Sequence, residues 1–332
     1  MKGKSWLCLW LLCVMGLSQL ANSKEWVFAL VPKKASSPFY MAAGEGCEAA
    51  AKALKGVTCI FRGSLKTNDV RKQDKILSRL IDEGIDGIAI AVTQSEFLAD
   101  NSMRKAYEAG IPVVAFDADF NERHQYLRKA YVGTNNLELG RALGEAVQKL
   151  RPQGAQLCIH TGRLDSPNLN LRIMGLRSVL SGNQYQNPPG RRLTGENGYS
   201  EWSRCPLPHL GDFNRAISQM QLVFEKDKSA NTLIGVGGGP QNAVAQYQKL
   251  MLANKKDLDS HKFVVVFADT NASQLGHLRD GLSHYNVGQN PYDMGREAIL
   301  TLHKIVTQKK YSKTLYTPLT HCTPENYRRC TQ

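Results

Sequence analysis

Two aspartates stand where a carboxylate can do chemistry: Asp117, at the end of the apolar run Val113 to Phe116, and Asp269, just past Phe263 to Phe267. Short uninterrupted apolar runs of this kind read as strands buried on both faces of a parallel sheet. The loops at the carboxyl ends of such strands form the crevice in which open α/β sheets bind ligands. An ionised carboxylate only accepts hydrogen bonds, so its chemistry there is the capture of donors such as hydroxyls. Asp119 lies two residues from Asp117, and the pair does not read as an acid/base couple working on one bond. His160 follows a strand but nothing supplies it with a nucleophile, and neither a Gly-x-Ser-x-Gly elbow nor a His-Glu-x-x-His cluster occurs. The residues therefore point to binding rather than catalysis, with no cofactor and no metal. A glycine run, Gly235 to Pro240 with Gly238 at its centre, either cradles an anion with backbone N–H groups or makes a tight turn that leaves room for a ligand.

The elements that position these residues alternate regularly. Strands are expected at Trp26 to Val31, Val57 to Phe61, Ile85 to Val92, Val113 to Phe116 and Ala130 to Val132. Between them come helices at Tyr40 to Leu54 behind Pro38, from Asn68 or Asp69 to Gly84, and from about Phe97 to Gly110. The scheme then repeats. Helices at Asn136 to Leu150, Asn168 to Leu180, Phe213 to Glu225, Pro240 to Leu252, Ser273 to Asp280 and Tyr292 to Val306 alternate with strands at Gln156 to His160, Leu233 to Val236, Phe263 to Phe267 and Tyr285 to Val287. An irregular Pro/Gly-rich insertion interrupts the second half after Leu180. This is the signature of two α/β units, each a Rossmann-like parallel sheet covered on both sides.

The first residues, Lys2 and Lys4 followed by an apolar segment from Trp6 to Leu20 and then Ala21-Asn22-Ser23, have the three regions of a secretory signal peptide, with cleavage expected near Ser23 and a periplasmic destination. Removing these leaves 332 − 23 = 309 residues, which suits two domains rather than one core. Six cysteines remain, Cys47, Cys59, Cys158, Cys205, Cys322 and Cys330, and an even count in an exported chain argues for disulfides. Six cysteines allow 15 pairings. If neighbours in sequence pair, Cys47 meets Cys59, Cys158 meets Cys205 and Cys322 meets Cys330. No Cys-x-x-Cys spacing supports zinc. With Lys2 and Lys4 gone, 40 basic residues face 29 acidic ones, a net of +11. The basic residues are scattered, with short clusters at Lys33-Lys34, Arg191-Arg192, Lys255-Lys256, Lys309-Lys310 and Arg328-Arg329 rather than one long run, and export makes nucleic acid an unsuitable partner.

Six short motifs in order carry a family resemblance: Ser37-Pro-Phe-Tyr40, Ile111-Pro-Val-Val-Ala-Phe-Asp117, Tyr131-Val-Gly-Thr-Asn135, Arg172-Ile-Met-Gly-Leu176, Phe267-Ala-Asp269 and Gly288-Gln-Asn-Pro-Tyr-Asp-Met-Gly295. Over roughly Trp26 to Leu319 the chain resembles the type I periplasmic sugar-binding proteins, the ribose- and galactose-binding class that shares its core with LacI-type repressors. The resemblance implies two lobes joined by three hinge crossings, near Gly133 to Asn135, Gln289 to Pro291 and Tyr316 to Leu319. The N-terminal lobe is expected to comprise residues 24–133 and 290–315, the C-terminal lobe 134–289 and 316–332.

The same resemblance assigns roles. Phe39 and Tyr40 match the aromatic pair that stacks on a sugar ring, Asp117 the carboxylate that takes sugar hydroxyls, Asp269 its counterpart in the second lobe, and Gln289 the hinge residue that bonds the ligand. Asn170 and Arg172 fall where the family places arginines. Ala118 and Asn170 replace residues typical of ribose binders. Gly238 lies where many relatives carry an Asn-Asp pair, and Trp202, in the insertion, is a further stacking candidate. The implied function is capture of a small sugar or sugar-like molecule by lobe closure, by a monomer that presents it to an ABC transporter permease. The alternatives are delivery to a membrane sensor kinase or chemoreceptor and, from another class, an exported carbohydrate-active enzyme. The repressor reading fails for want of an N-terminal helix-turn-helix.

Overall fold

A computed structural model describes residues 24–65, 69–182, 191–225 and 230–330. The expected signal peptide, residues 1–23, and its cleavage point lie outside the described residues, as does Asn68, one of the two expected helix caps. The other, Asp69, accepts from the N–H groups of Arg71 and Lys72 and opens the helix Val70–Asp82.

The strands, in chain order, are β1 (Trp26–Val31), β2 (Val57–Phe61), β3 (Gly87–Ile90), β4 (Val113–Phe116), β5 (Ala130–Gly133), β6 (Ala155–Thr161), β7 (Thr194–Glu196), β8 (Tyr199–Glu201), β9 (Leu207–Pro208), β10 (Thr232–Gly235), β11 (Val264–Ala268), β12 (Tyr285–Gly288), β13 (Thr314–Tyr316) and β14 (Thr320–Cys322). They form two sheets, ordered β13-β5-β4-β3-β1-β2 and β14-β12-β11-β10-β6-β8-β7, with β9 paired to β6. The first sheet is parallel throughout. In the second, β14 runs antiparallel to β12 and β7 to β8. The chain passes between sheets after β5, after β12 and between β13 and β14. Tyr316, assigned from sequence to the second lobe, is instead the last residue of β13 in the first sheet, where it pairs with Gly133.

The strand pattern explains itself by two-sided burial. Along β4, Val113 and Ala115 join the core under the helices Val70–Asp82 and Ser102–Glu108, while Val114 and Phe116 join the one under Pro38–Ala53 and Pro291–Val306. Along β11, Val264, Val266 and Ala268 face one core and Val265 and Phe267 the other. Every position is buried, so no polar residue interrupts the run until the loop.

Three expectations need correction. The helix expected from Phe97 to Gly110 is two, Ser95–Asp100 and Ser102–Glu108, because the Asn101 amide donates to Phe97 O (2.7 Å) and Asp74 accepts the Ser102 N–H (2.9 Å). The insertion is not wholly irregular: β7 and β8 form a ribbon that extends the second sheet, with β8 parallel to β6. Its sequence hid this because each strand is only three residues long. The segment after Pro240 is a 3-10 turn, Pro240–Asn242, followed by the helix Val244–Ala253. The cysteines pair as sequence neighbours: Cys47 to Cys59, Cys158 to Cys205 and Cys322 to Cys330, with Cα–Cα distances of 6.0, 5.4 and 6.0 Å, inside the usual disulfide range.

Each lobe is clamped by one helix pair crossing on glycines. A Cβ on Gly46 would come within 2.0 Å of Tyr292 O and one on Gly295 within 1.9 Å of Ala43 O; in the other lobe Gly140 and Gly175 meet Arg172 O and Leu137 O at 2.1 Å each. Only a residue without a side chain lets these backbones approach. Gly175→Ala is expected to cost about 1–3 kcal/mol by overpacking. Gly276→Ala, at a helical site with nothing within 4 Å, should be neutral or raise stability by under about 1 kcal/mol. Urea midpoints of the two variants read the contrast, and equal midpoints would show that the glycine crossing is not tight.

Candidate functional site

Asp117 and Asp269 occupy equivalent places in the two sheets, just past β4 and β11, and both adopt the left-handed backbone conformation, with φ of 57° and 78°. The strain is held by matched bonds. The Asp117 N–H donates to Val132 O (3.1 Å) and the Asp269 N–H to Val287 O (2.7 Å). Their carbonyls accept from Tyr131 OH (2.9 Å) and Asn286 Nδ2 (2.8 Å). The sharp turn throws each carboxylate into the crevice between the sheets, and such a backbone, costing about 1–3 kcal/mol, persists only where its surroundings hold it.

A network centred on Arg172 ties the two together. Its Nε donates to Asn136 Oδ1 (2.8 Å), Nη1 to Val236 O (2.9 Å) and Nη2 to Gln289 Oε1 (2.8 Å), and Nη2 lies 3.9 Å from Asp117 Oδ1. Gln289, at the second crossing, also accepts from Thr134 Oγ1 (2.8 Å) at the first crossing and donates to Asp269 Oδ1 (2.6 Å). Tyr40 donates its hydroxyl to Asp117 Oδ2 (2.6 Å). Burial, then the Asp117 charge, push the Tyr40 phenol far above its ordinary range, so it stays a donor. Burial raises the Asp269 carboxyl, opposed first by Arg172 and then by the bonds from Gln289 and Gly238.

Phe39, Tyr40, Asp117, Arg172, Gly238, Asp269 and Gln289 line one cavity of about 120 Å³. At ~30 Å³ per water that is room for about four waters, the scale of one small polyhydroxylated molecule. Two of the expected residues do not reach it. Asn170 turns away and donates to Leu164 O (2.9 Å); Asn168, two residues earlier on the same helix and 4% exposed, takes its place. Trp202 is buried in the second lobe's core beside Cys158, Cys205 and Met220, because an aromatic beside a disulfide gains more from packing than from an open cleft. From the same insertion His209 lines the cavity, followed by Phe213. Asp119 is occupied by Arg128, at 2.5 and 2.6 Å.

At the centre of the glycine run the Gly238 N–H is not held out for an anion: it is given to Asp269 Oδ2 (2.9 Å). Its glycines serve close approach instead. A Cβ on Gly238 would meet Gln274 Nε2 at 2.7 Å, and one on Gly239 would meet His209 Nε2 at 2.4 Å.

Lys33 and Lys34 were visible in the sequence only as a short basic cluster. Their place directly after β1, at the carboxyl end of a strand, was the signal for the cleft. Lys33 crosses from the first lobe to donate to Ser166 Oγ (3.0 Å) and Asn168 Oδ1 (3.1 Å) of the second. Burial pulls its ammonium from 10.5 down to about 8, with Asp117 opposing. The unfolded chain therefore binds more protons than the folded one between about pH 8 and 10.5, and this site's contribution to stability rises with pH across that window, by about 3 kcal/mol in full. A Lys33→Met protein should lack the rise. Denaturant midpoints of both proteins across the window test it, and parallel curves would place Lys33 in solvent.

The comparisons with known proteins agree with this geometry. The family model described as "Periplasmic binding protein domain" matches residues 28–310. A fructose import binding protein, FruE of Bifidobacterium longum, is 30% identical over 255 residues, covering 75% of this chain and 70% of its own. A xylose/arabinose-binding protein, XylF of Sulfolobus acidocaldarius, is 24% identical over 173 residues, 49% of this chain, and this match spans 42% of the relative's length. Among solved structures, an ABC transporter solute-binding protein from Burkholderia graminis in complex with D-arabinose superposes with a TM-score of 0.75 at 25% identity, over 92% of this chain and 97% of that one. Two covered parallel sheets, three crossings and a match over most of the length make the chain a member of the periplasmic binding protein domain family.

Proposed function

We propose that this chain is a solute-binding protein that captures a small sugar or sugar-like molecule between its lobes and presents it to an ABC transporter permease. One observation carries the reading: two strained aspartates, one from each sheet, aim at a single cavity and are joined through Arg172 to Gln289 at a crossing. Carboxylates fixed in this way accept from hydroxyls, and acceptors in both lobes are satisfied together only when the lobes are closed on a ligand. The names of the relatives, which bind fructose, xylose, arabinose and D-arabinose, support a sugar. The signal-peptide pattern and the family support export to the periplasm, and the working unit is a monomer without a catalytic step. A membrane sensor is the alternative partner, which cross-linking of the closed protein to membrane fractions distinguishes from a permease.

The test is a thermal-shift screen of residues 24–332 against monosaccharides and sugar alcohols. A ligand at about 100 times its Kd adds about 2.7 kcal/mol. Asp117→Ala should abolish the shift while the protein remains folded, since the hydroxyls that bonded the carboxylate lose about 1.5–3 kcal/mol apiece. Silence across the panel, or a shift that survives Asp117→Ala, counts against the reading.

A further inference from the structure

The charged side chains lining the cavity do not cancel: Lys33, Lys34 and Arg172 face Asp117 and Asp269, so 3 − 2 leaves +1. Arg172 is tied to the carboxylates, but the lysines are not. Lys33 is 6% exposed, and its ammonium donates to two neutral oxygens, Ser166 Oγ and Asn168 Oδ1, with no described carboxylate forming an ion pair with it. Lys34 Nζ donates to Gly211 O (3.2 Å) and sits 4.0 Å over the Phe213 ring. The nearby carboxylates are engaged elsewhere: Asp117, whose charge acts on Lys33 more than any other carboxylate's, takes the Tyr40 hydroxyl and faces Arg172, Asp165 is held by Arg163 through two 2.7 Å bonds, and exposed Asp212 caps the helix Phe213–Glu225 through the Asn214 and Arg215 N–H groups. A buried ammonium without an ion-pair partner is costly, and a ligand anion removes that cost.

A third donor stands on the same side. His209 is 6% exposed and lies beside Phe213, ring centroids 6.3 Å apart. Its Nδ1 accepts the Gly211 N–H (3.1 Å), which puts the ring proton on Nε2. Nε2 has no partner among the described residues and lies at the cavity wall formed by Gly162 and Gly239. Burial, then His160 stacked at 5.2 Å, hold the imidazole neutral by lowering it to about 3. The cavity thus has acceptors, Asp117 and Asp269, and a separate set of donors, Lys33, Lys34 and His209.

Building on the sugar-capture reading, we propose that the ligand is a sugar acid, its hydroxyls on Asp117 and Asp269 and its carboxylate on Lys33, Lys34 and His209. One carboxylate neutralises the surplus of one charge; a phosphate dianion overshoots it, and the Gly238 amide that would cradle a phosphate is already given to Asp269.

Calorimetric titration with pairs differing at one oxidised carbon, such as galactose with galacturonate and arabinose with arabinonate, tests this, with the matching sugar phosphates as a third arm. The expected result is an acid that binds at least about tenfold tighter than its neutral partner, and a ratio of acid to neutral affinity that falls to about one in Lys33→Met and in Lys34→Gln, whatever each does to neutral-sugar affinity. Lys34→Gln is the variant that decides if Lys33→Met fails to fold. Neutral sugars binding with no acid preference overturns the sugar-acid assignment and leaves sugar capture standing; no binding by any arm overturns both. A preference for the phosphates overturns the carboxylate class. An acid preference that survives both substitutions overturns the placement on the lysines.

Discussion

An Arg172→Leu variant is expected to lose its response to sugars and about 3–5 kcal/mol of stability. Arg172 is 2% exposed and serves three acceptors at once, Asn136 Oδ1, Val236 O and Gln289 Oε1, beside Asp117. Leucine fills much of the space and bonds none of them. The buried Asp117 carboxylate loses its nearest cation, and the Asp269 carboxyl, already raised by burial, loses the cation that most opposes that rise. Removing one partner of a buried charged set costs several kcal/mol because the other is left without compensation. Gln289 then has no guanidinium to hold it between Thr134 and Asp269, and the acceptors of the two lobes lose their common frame. Arg172→Lys keeps the charge without the planar fork and should fall between. Denaturant midpoints and thermal shifts with a bound sugar read both effects; an Arg172→Leu protein with the parental midpoint and response would take Arg172 out of the site.

Arg177→Leu is expected to be as damaging to stability, about 3–5 kcal/mol, and for a reason remote from the cavity. Its guanidinium is 0% exposed and forks onto Glu201, Nε to Oε1 at 2.7 Å and Nη2 to Oε2 at 2.8 Å, and the Glu201 Oε1 also accepts the Leu193 N–H at 3.0 Å. This pair fastens β8, and with it the ribbon added by the insertion, to the helix Pro167–Leu180 that carries Arg172. Without the guanidinium a carboxylate is left buried without a counter-charge. The double variant Arg177→Leu/Glu201→Leu should recover much of the loss, since replacing a whole buried ion pair by apolar residues is often near neutral. Urea midpoints of the three proteins decide it. A double variant no better than the single one would mean that the damage comes from packing rather than charge.

How much was legible follows from which interactions are local. Strand and helix order was readable because a strand buried on both faces writes itself as an unbroken apolar run, as at Val113–Phe116 and Val264–Ala268. Asp117 and Asp269 were readable because a charge that ends such a run has only the crevice to face. Asn170 and Trp202 were misplaced because a shift of two residues along a helix, or the choice of an aromatic between core and cleft, is decided by contacts far away in sequence. Lys33 is the reverse case: its place after β1 pointed to the cleft, but its partners Ser166 and Asn168 lie 133 and 135 residues away, so nothing near it in sequence shows that its ammonium is buried across the two lobes.

By itself, the sequence determined the doubling of the α/β unit and the two carboxylates at strand ends, because periodicity and strand termination are properties of a few consecutive residues; which of the 15 cysteine pairings forms it left open. Only the tertiary structure decided the rest: that Tyr316 closes the first sheet, that the insertion adds strands to the second, and that Arg172, Gln289 and Asp269 form one network. It also decided that the lysines after β1 line the same cavity as His209 and form no ion pair among the described residues. Those outcomes depend on which segments pack together, within a lobe or between the two, and packing between residues distant in sequence is something no local pattern records.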